Sequence, residues 1–310
     1  MSYRLRRRKF GQLAIATAAA TALANLANKT LAQTAEEEPL LYGVRAVPGG
    51  QGLLLQSLNL TTDEVKDETA RTLGLTLEPE ERVSSFTVLD DDTFALATAP
   101  TTHVITGNPV TPSRPNFLPT ASQSLPASAL RSVSVLQSLP ALQAVDEKVT
   151  IESWLDNKDG KLFSIVSLNQ GLLPFRLAVI DRNTAEVNFI DDLDLPPNRP
   201  FSHLTQSPNG AIYATTIGTE GYTSLVRLER QNKSIITGKG QIVSLVRLKF
   251  NNRHLPNDVA SLAWSPSNQL YALGDPTYTG TNSLFTVNVN TGVLTLLRTF
   301  DVDKIVFARS

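Results

Sequence analysis

The chain has 310 residues, with 28 Lys and Arg against 29 Asp and Glu, and a formal net charge of −1. This balance argues against a protein that binds nucleic acid over its whole surface, because phosphate binding needs a basic excess. The chain has no Cys, which excludes disulfides, thiolate metal sites and thiol nucleophiles. Its three His residues, His103, His203 and His254, are too far apart in sequence to form a short metal-ligand motif.

The first 32 residues have the three parts of an export signal. They contain six basic residues and no acidic residue, and five of the six lie between Arg4 and Lys9. An uncharged run rich in Ala, Thr and Leu follows over Gly11–Ala27, and Thr30–Ala32 supplies small residues of the kind that signal peptidase recognises. This order predicts a signal peptide at 1–32 and a mature domain at 33–310, located in the periplasm or outside the cell.

The segment Arg7–Phe10, with the sequence Arg-Arg-Lys-Phe, resembles a twin-arginine signal. Arg6 stands where that motif usually has Ser or Thr, and Gly11 and Gln12 stand where it usually has Leu and Lys. The resemblance implies twin-arginine translocation, with an ordinary secretory signal and a retained membrane anchor as the alternatives. Cleavage after Ala32 would leave 22 basic and 29 acidic residues, which is a net charge of −7.

Beyond residue 33, short β-branched and aromatic segments alternate with Asn, Asp, Gly and Pro, which predicts an all-β domain. Only Thr62–Thr72 has a pattern that could form a short helix. The clearest unit is Val259–Phe300, which divides into four strands with turns at Ser265-Pro266 and Asn290–Gly292. Units of the same design begin at three earlier positions, Phe201, Ile151 and Val83. The domain therefore consists of repeats.

An aromatic residue recurs in the second strand of every unit, at intervals of 52, 69, 50 and 58 residues. One aromatic residue is only a good β-former, but five in the same register indicate a recurring packing site. The five are Tyr42, Phe94, Phe163, Tyr213 and Tyr271.

The two ends of the domain complement each other. The first unit starts directly at its second strand, near Leu40, while Asp303–Ala308 forms a lone first strand that parallels Asp258–Ala263. This predicts a five-bladed β-propeller with four-stranded blades, in which the C-terminal strand completes the first blade. A two-sheet sandwich is the alternative fold. The Pro-rich segment 107–128 is predicted to be an insertion in the second blade.

The pattern over residues 40–309 resembles secreted propellers of the NHL, YVTN and quinoprotein-like kind. Their blades often read Ser-Pro-x-Gly and then hydrophobic-Tyr-Ala, as Ser207–Gly210 and Ile212–Ala214 do here. The resemblance implies a propeller fold and leaves the activity open, because one fold carries many functions.

Propellers bind ligands at the mouth of the channel that their first strands line, and this predicts a ligand site at Glu152, His203, Asp258 and Asp303. Three carboxylates and one His could coordinate a divalent cation such as Ca²⁺. They could equally be channel-lining groups hydrated by water. A general base at His203 is disfavoured, because the adjacent Ser202 should face the other side of the strand.

These patterns predict an exported, monomeric binding or scaffold protein of the bacterial envelope, with a protein or a small molecule as its partner. No catalytic residue is assigned, no cofactor is assigned apart from Ca²⁺ as a candidate, and nucleic acid is not expected as a partner. The alternative is a metal-dependent hydrolase or lactonase with its site at the channel mouth. Trp154 and Trp264 lie on first strands and are expected to pack between sheets.

Overall fold

A computed structural model describes residues 40–47, 52–67, 81–89, 93–100, 123–126, 137–138, 149–156, 160–169, 171–184, 186–191, 193–230, 240–256 and 259–308. The predicted signal peptide at 1–32, Asp258 and most of the Pro-rich segment 107–128 lie outside these residues. The described residues fall in the compact unit Pro39–Ser310. None of them belongs to a helix that is long and apolar enough to cross a membrane.

The described parts of the chain consist of strands, turns and connecting segments and contain no helix. This agrees with the prediction of an all-β domain. In chain order the strands are β1 (Leu40–Ala46), β2 (Leu53–Asn59), β3 (Glu64–Asp67), β4 (Glu81–Val88), β5 (Thr93–Pro100), β6 (Gln123–Pro126), β7 (Gln137–Ser138), β8 (Thr150–Asp156), β9 (Lys161–Asn169), β10 (Leu172–Asp181), β11 (Val187–Phe189), β12 (Phe201–Gln206), β13 (Ile212–Ile217), β14 (Thr223–Arg230), β15 (Gly240–Arg247), β16 (Lys249–Phe250), β17 (Arg253–His254), β18 (Val259–Trp264), β19 (Leu270–Gly274), β20 (Ser283–Val287), β21 (Leu294–Thr299) and β22 (Lys304–Phe307).

The strands form four-stranded antiparallel sheets in a propeller-like arrangement. In chain order, sheet 1 is β22-β1-β2-β3, sheet 2 is β4-β5-β6-β7, sheet 3 is β8-β9-β10-β11, sheet 4 is β12-β13-β14-β15 and sheet 5 is β18-β19-β20-β21. The short pair β16-β17 stands between sheets 4 and 5 in the chain. Strands β22, β4, β8, β12 and β18 contact one another in succession and form the innermost layer.

The last strand completes the first sheet, as predicted. Strand β22 pairs antiparallel with β1, and Leu41 lies opposite Phe307. The backbone N–H of Asp303 donates to the carbonyl of Val44 at 2.7 Å, which extends the pairing by one residue. Ring closure of this kind removes two exposed sheet edges.

The predicted alignment of Asp303 with Asp258 is wrong by two residues. Val306 lies opposite Tyr42, as Ala263 lies opposite Tyr271, so Asp303 corresponds to Ala260. A shift of two residues keeps every side chain on the same face, and alternation therefore could not reveal the error.

The recurring aromatic position is confirmed in four sheets and wrong in sheet 2. Phe163 packs with residues of sheet 4, Tyr213 contacts Trp264 of sheet 5, Tyr271 contacts Phe307 of sheet 1 and Tyr42 contacts Phe94 of sheet 2. Each of these rings faces the next sheet, whereas Phe94 faces the preceding one. Its neighbour Ala95 takes the equivalent position toward sheet 3. Both faces of a propeller sheet are buried, so apolar residues at adjacent positions do not reveal which one faces which neighbour.

Two local predictions also need correction. The expected helix at Thr62–Thr72 is not formed where the chain is described, because Glu64–Asp67 pairs with β2 as strand β3. The Pro-rich insertion 107–128 ends before Gln123, since β6 pairs with β5 from that residue. In both places a neighbouring strand overrides the local sequence preference.

Candidate functional site

The innermost strands share a β-bulge at a similar height. The pairing register shifts between Val83 and Ser85 in β4, between Ile151 and Ser153 in β8, between Ser202 and Thr205 in β12, and between Val259 and Ser261 in β18. A bulge inserts one residue, bends the strand and redirects side chains. The bulges therefore set which side chains point toward the axis of the ring.

Three serines that follow these bulges link consecutive innermost strands. Ser85 accepts a hydrogen bond from the N–H of Trp154 at 3.0 Å, Ser153 accepts one from the N–H of Leu204 at 2.8 Å, and Ser261 accepts one from the N–H of Ile305 at 3.2 Å. An innermost strand has no further strand to pair with on the channel side. The serines thus satisfy backbone donors that would otherwise be buried without a partner.

His203 and Lys304 occupy the two remaining positions of this layer. Each directly precedes a residue, Leu204 or Ile305, whose N–H bonds to a serine of the preceding sheet. We call the five residues the polar ring: Ser85, Ser153, His203, Ser261 and Lys304. The ring therefore consists of three small hydroxyls and two larger basic side chains.

An ion pair joins two innermost strands on one side of the polar ring. Arg82 Nη2 lies 2.6 Å from Glu152 Oε2, and the Glu152 side chain is 7% exposed while that of Arg82 is 34% exposed. The other oxygen of Glu152 and the hydroxyl of Ser84 are buried and have no hydrogen-bond partner among the described residues. An unpartnered buried carboxylate oxygen is costly, and it is a place where a bound donor would be stabilised.

Lys304 is buried in this cluster with few partners. Its Nζ donates to the carbonyl of Ala260 at 2.5 Å, and no described carboxylate lies within 4.0 Å of it. Burial, and after it the charge of Arg82, lower the pKa of Lys304 to about 7, although Glu152 and Asp303 act in the opposite direction. The amine is therefore partly neutral near pH 7.

His203 is held in one orientation by hydroxyl groups. Its Nδ1 lies 2.8 Å from Thr215 Oγ1 and 3.1 Å from Ser202 Oγ. Burial lowers the pKa of His203 well below its ordinary value, and the charges of Lys304 and Arg82 add to the effect. The ring is therefore neutral at pH 7, and it also makes a hydrogen bond to the backbone of Ala260.

The expectation that Ser202 and His203 face opposite sides is wrong. His203 has a φ of 56°, and this left-handed conformation within the bulge brings the two adjacent side chains together. In a regular strand the two side chains would lie on opposite faces. The rule of alternation therefore fails here because the strand contains a bulge. The contact with Thr215 fixes the position of the His203 ring within the bulge.

The predicted site residues are only partly brought together. Glu152 and His203 lie near Lys304, because the charge of Glu152 acts on the pKa of Lys304 and the charge of Lys304 acts on that of His203. Asp303 accepts a hydrogen bond from the N–H of Ala46 at 2.6 Å, and burial raises its pKa. Asp258 lies outside the described residues. No group of three or more acidic or His side chains suited to a metal ion occurs in the described part of the chain.

Sequence reasoning missed Arg82 and Lys304. Arg82 lies two residues before the bulge residue Ser84. The predicted alignment of Asp303 with Asp258 was wrong by two residues, and it therefore did not place Lys304 in the same layer as Ser153 and Ser261. The available signal was the recurring Ser followed by a large apolar residue, which occurs at Ser85-Phe86 and Ser261-Leu262. Lys304-Ile305 continues that series.

A cavity of about 540 Å³ lies on the other side of the polar ring. Its lining begins in every innermost strand at the residue directly after the ring, so the ring forms its floor. We call this cavity the cup. Its lining residues are Phe86, Thr87, Val88, Trp154, Leu155, Asp156, Leu204, Thr205, Gln206, Ser207, Pro208, Leu262, Ala263, Trp264, Ser265, Pro266, Ile305, Val306, Phe307 and Ala308.

Both tryptophans of the chain contribute to the cup and also pack between sheets, as expected. Trp154 is 1% exposed and belongs to the apolar cluster between sheets 2 and 3. Trp264 packs beside Tyr213 with ring centroids 5.2 Å apart. The indole N–H groups of both tryptophans are buried without an acceptor.

No protein family matches the chain, and no curated protein does. Among solved structures, the chain is similar to a protein from Lactobacillus plantarum at 11% identity, over 88% of this chain and 99% of that one, with a TM-score of 0.44. It is similar to a protein of unknown function from Dyadobacter fermentans at 11% identity, over 86% and 84%, with a TM-score of 0.44. It is also similar to a luciferin-regenerating enzyme at 11% identity, over 87% and 79%, with a TM-score of 0.41. Similarity at this level says nothing about activity.

Proposed function

We propose that this chain is an exported binding protein of the bacterial envelope, and that it holds a small molecule with both apolar and polar groups in the cup. The observation that carries the proposal is that all five innermost strands line one cavity and that the polar ring forms its floor. A cavity with a floor can retain a ligand, whereas an open channel would let it pass.

The size and lining of the cup support this class of ligand. Its volume of about 540 Å³ falls within the range of roughly 300–1,000 Å³ that is typical of small-molecule sites. Aromatic and aliphatic residues such as Phe86, Trp264 and Phe307 line part of the wall. A few polar groups, among them Gln206 and Ser265, lie in the lining and could fix the orientation of a ligand.

Export and the number of blades belong to the same proposal. The basic and then apolar N-terminal segment 1–32 supports export to the periplasm, and Arg7-Arg8 supports the twin-arginine route. Five four-stranded sheets support a five-bladed ring. Substitution of both arginines by Lys should block export of the full chain, and unchanged export would contradict the twin-arginine route.

The alternative of a metal-dependent hydrolase or lactonase depends on a cation such as Ca²⁺ near Glu152. The described side chains fit such a cation poorly, because Glu152 pairs with Arg82 and Asp303 is bonded to the backbone of Ala46. The positive charges of Arg82 and Lys304 would also repel a cation. Metal analysis of the purified protein separates the two functions, since stoichiometric Ca²⁺ that is lost on substitution of Glu152 by Gln would favour the hydrolase.

Intrinsic fluorescence gives a direct test of binding in the cup. The chain has two Trp, and both line the cup, so a bound fluorophore should quench nearly all of the tryptophan emission. We expect the uncharged dye N-phenyl-1-naphthylamine to quench this emission saturably at micromolar concentration. Quenching that stays linear with dye concentration would argue against a ligand site in the cup.

A pair of alanine substitutions provides the control. Ala46 and Ala308 pack against the same apolar cluster, but only Ala308 lines the cup. Ala308→Phe should fill part of the cup and weaken dye binding by about tenfold or more, equivalent to about 1.4 kcal/mol. Ala46→Phe should leave dye binding unchanged, and equal effects of both variants would indicate that the dye binds elsewhere.

A further inference from the structure

The side of the polar ring that faces away from the cup carries a reactive arrangement of groups. Lys304, Arg82, Glu152 and His203 come from four different innermost strands and converge there. Lys304 is 7% exposed, while Arg82, His203 and Ala260 are half-buried. Solvent therefore reaches the neighbours of the Lys304 amine from this side, although the amine itself is largely desolvated.

We propose that Lys304 is a nucleophilic amine that condenses reversibly with a small carbonyl compound carrying a carboxylate next to the carbonyl, a 2-oxo acid. This inference concerns a second site and does not depend on binding in the cup.

The surroundings of Lys304 favour nucleophilic chemistry over a structural ion pair. A lysine is activated as a nucleophile when it is desolvated or when it lies beside another cation. Both conditions hold here, since Lys304 is buried and the charge of Arg82 acts on it. Its one described hydrogen bond is donated to the Ala260 carbonyl, which leaves the nitrogen lone pair of the neutral amine available for attack.

Arg82 supplies the preference for an anionic carbonyl compound. It contacts Glu152 through Nη2, and in the described part of the chain Nη1 and Nε have no other partner. A guanidinium binds a carboxylate in a planar, two-point geometry through Nη2 and either Nη1 or Nε, and Nη2 has a second N–H besides the one that meets Glu152. A 2-oxo acid held in this way would present its carbonyl carbon beside the Lys304 amine.

The condensation needs no further reagent. The lone pair of Lys304 Nζ attacks the carbonyl carbon, a C–N bond forms, and the carbonyl oxygen takes up a proton that the nitrogen releases. The resulting hydroxyl leaves with a second proton as water, the C–O bond breaks, and a C=N bond remains. Glu152, whose Oε1 is buried without a partner among the described residues, acts on the charge of Lys304, and Lys304 acts on that of His203. Glu152 and neutral His203 are therefore the groups suited to moving these protons.

Reductive trapping tests the proposal on the intact wild-type protein. The protein is incubated with glyoxylate and cyanoborohydride, and the carboxymethylated lysines are identified by peptide mass spectrometry. At pH 7 we expect Lys304 to be modified at least about tenfold faster than the exposed Lys66, because only a very small fraction of an ordinary lysine is neutral at that pH. Lys304 that reacts no faster than Lys66 would overturn the proposal.

The dependence of the rate on pH tests the neutral amine, and the preference for a reagent with a carboxylate is the readout that a merely buried lysine would not show. The rate at Lys304 should level off above about pH 8, whereas the rate at Lys66 should keep rising by about tenfold per pH unit up to its ordinary pKa. Propionaldehyde should label Lys304 more slowly than glyoxylate, and Arg82→Gln should remove that preference. A continued rise at Lys304, or an equal rate with both aldehydes in the wild type, would contradict the nucleophile or the carboxylate contact respectively.

Discussion

Arg82 and Glu152 are 70 residues apart in sequence, yet their side chains meet at 2.6 Å between the innermost strands of sheets 2 and 3. The contact lies on the axis of the ring, where the carboxylate is 7% exposed. A charge that is buried to this degree needs its partner, because removing one member leaves the other without compensation.

Glu152→Gln should lower the free energy of unfolding by about 1–3 kcal/mol, since the neutral amide cannot replace the charge-assisted bond to Arg82. The measurement is urea denaturation at pH 7. Glu64→Gln is the matched control, because Glu64 pairs with Lys66 at 3.4 Å and both side chains are more than half exposed. That variant should change stability by less than about 0.5 kcal/mol. Equal effects would mean that the axial pair contributes no more than a surface pair.

Because β22 completes sheet 1, we expect it to contribute as much to the free energy of unfolding as an internal strand does. Ile305 on β22 is 1% exposed, whereas Leu296 on β21 is 50% exposed. Ile305→Ala should cost about 2–4 kcal/mol through lost burial and a cavity between sheets 5 and 1. Leu296→Ala should cost less than about 1 kcal/mol, because the side chain is already half in water. Thermal and urea denaturation measure both, and a small effect at Ile305 would contradict a closed ring.

Gly292 joins the turn of sheet 5 to the segment that follows β15. It has a φ of +70°, and a Cβ at this position would lie 2.1 Å from the carbonyl oxygen of Arg247. Gly210 has a φ of +87° with nothing within 4 Å of its Cβ position. Gly210→Ala should therefore cost only about 1 kcal/mol of backbone strain. Gly292→Ala should cost at least about 2 kcal/mol more, because backbone must also move. If urea denaturation shows that both variants lose the same free energy of unfolding, the close approach of Gly292 to Arg247 does not affect stability.

The pH dependence of stability should reveal Lys304. Its pKa is lowered to about 7 in the folded protein and returns to about 10.4 on unfolding. Between these values the unfolded chain binds more protons at this site than the folded one, so stability rises with pH over this window. Below pH 7 both states are protonated, and the full cost of the buried charge is present.

Lys304→Met removes this titration and keeps an apolar side chain of similar length. We therefore expect the free energy of unfolding of the wild type, relative to that of Lys304→Met, to increase from pH 7 to pH 10. Chemical denaturation at several pH values measures the difference, and titrations common to both proteins cancel. A difference that stays constant over this range would show that the amine keeps its ordinary pKa in the folded state.

The sequence by itself determined the all-β class, the hairpin turns and the pairing of the last strand with the first sheet. Turn residues mark the hairpins, as at Ser207–Gly210, where the N–H of Gly210 donates to the carbonyl of Ser207 at 2.8 Å. The first repeat lacks an innermost strand and Lys304–Phe307 supplies it, a relation that pairing in β22 and β1 confirms. These features are local or depend only on the number of strands. An alignment error of one or two residues therefore does not change them.

Only the tertiary structure decided which side chains meet at the axis. Both faces of each sheet are buried, so alternation does not fix the register, and Phe94 and Asp303 were misplaced for this reason. The bulges at Ser84 and Glu152 then redirect side chains by one position. Arg82 on β4 and Lys304 on β22 are far apart in the sequence, and β22 joins sheet 1 at the C-terminal end of the described chain. They become neighbours because the ring closes, and no spacing in the sequence records that contact.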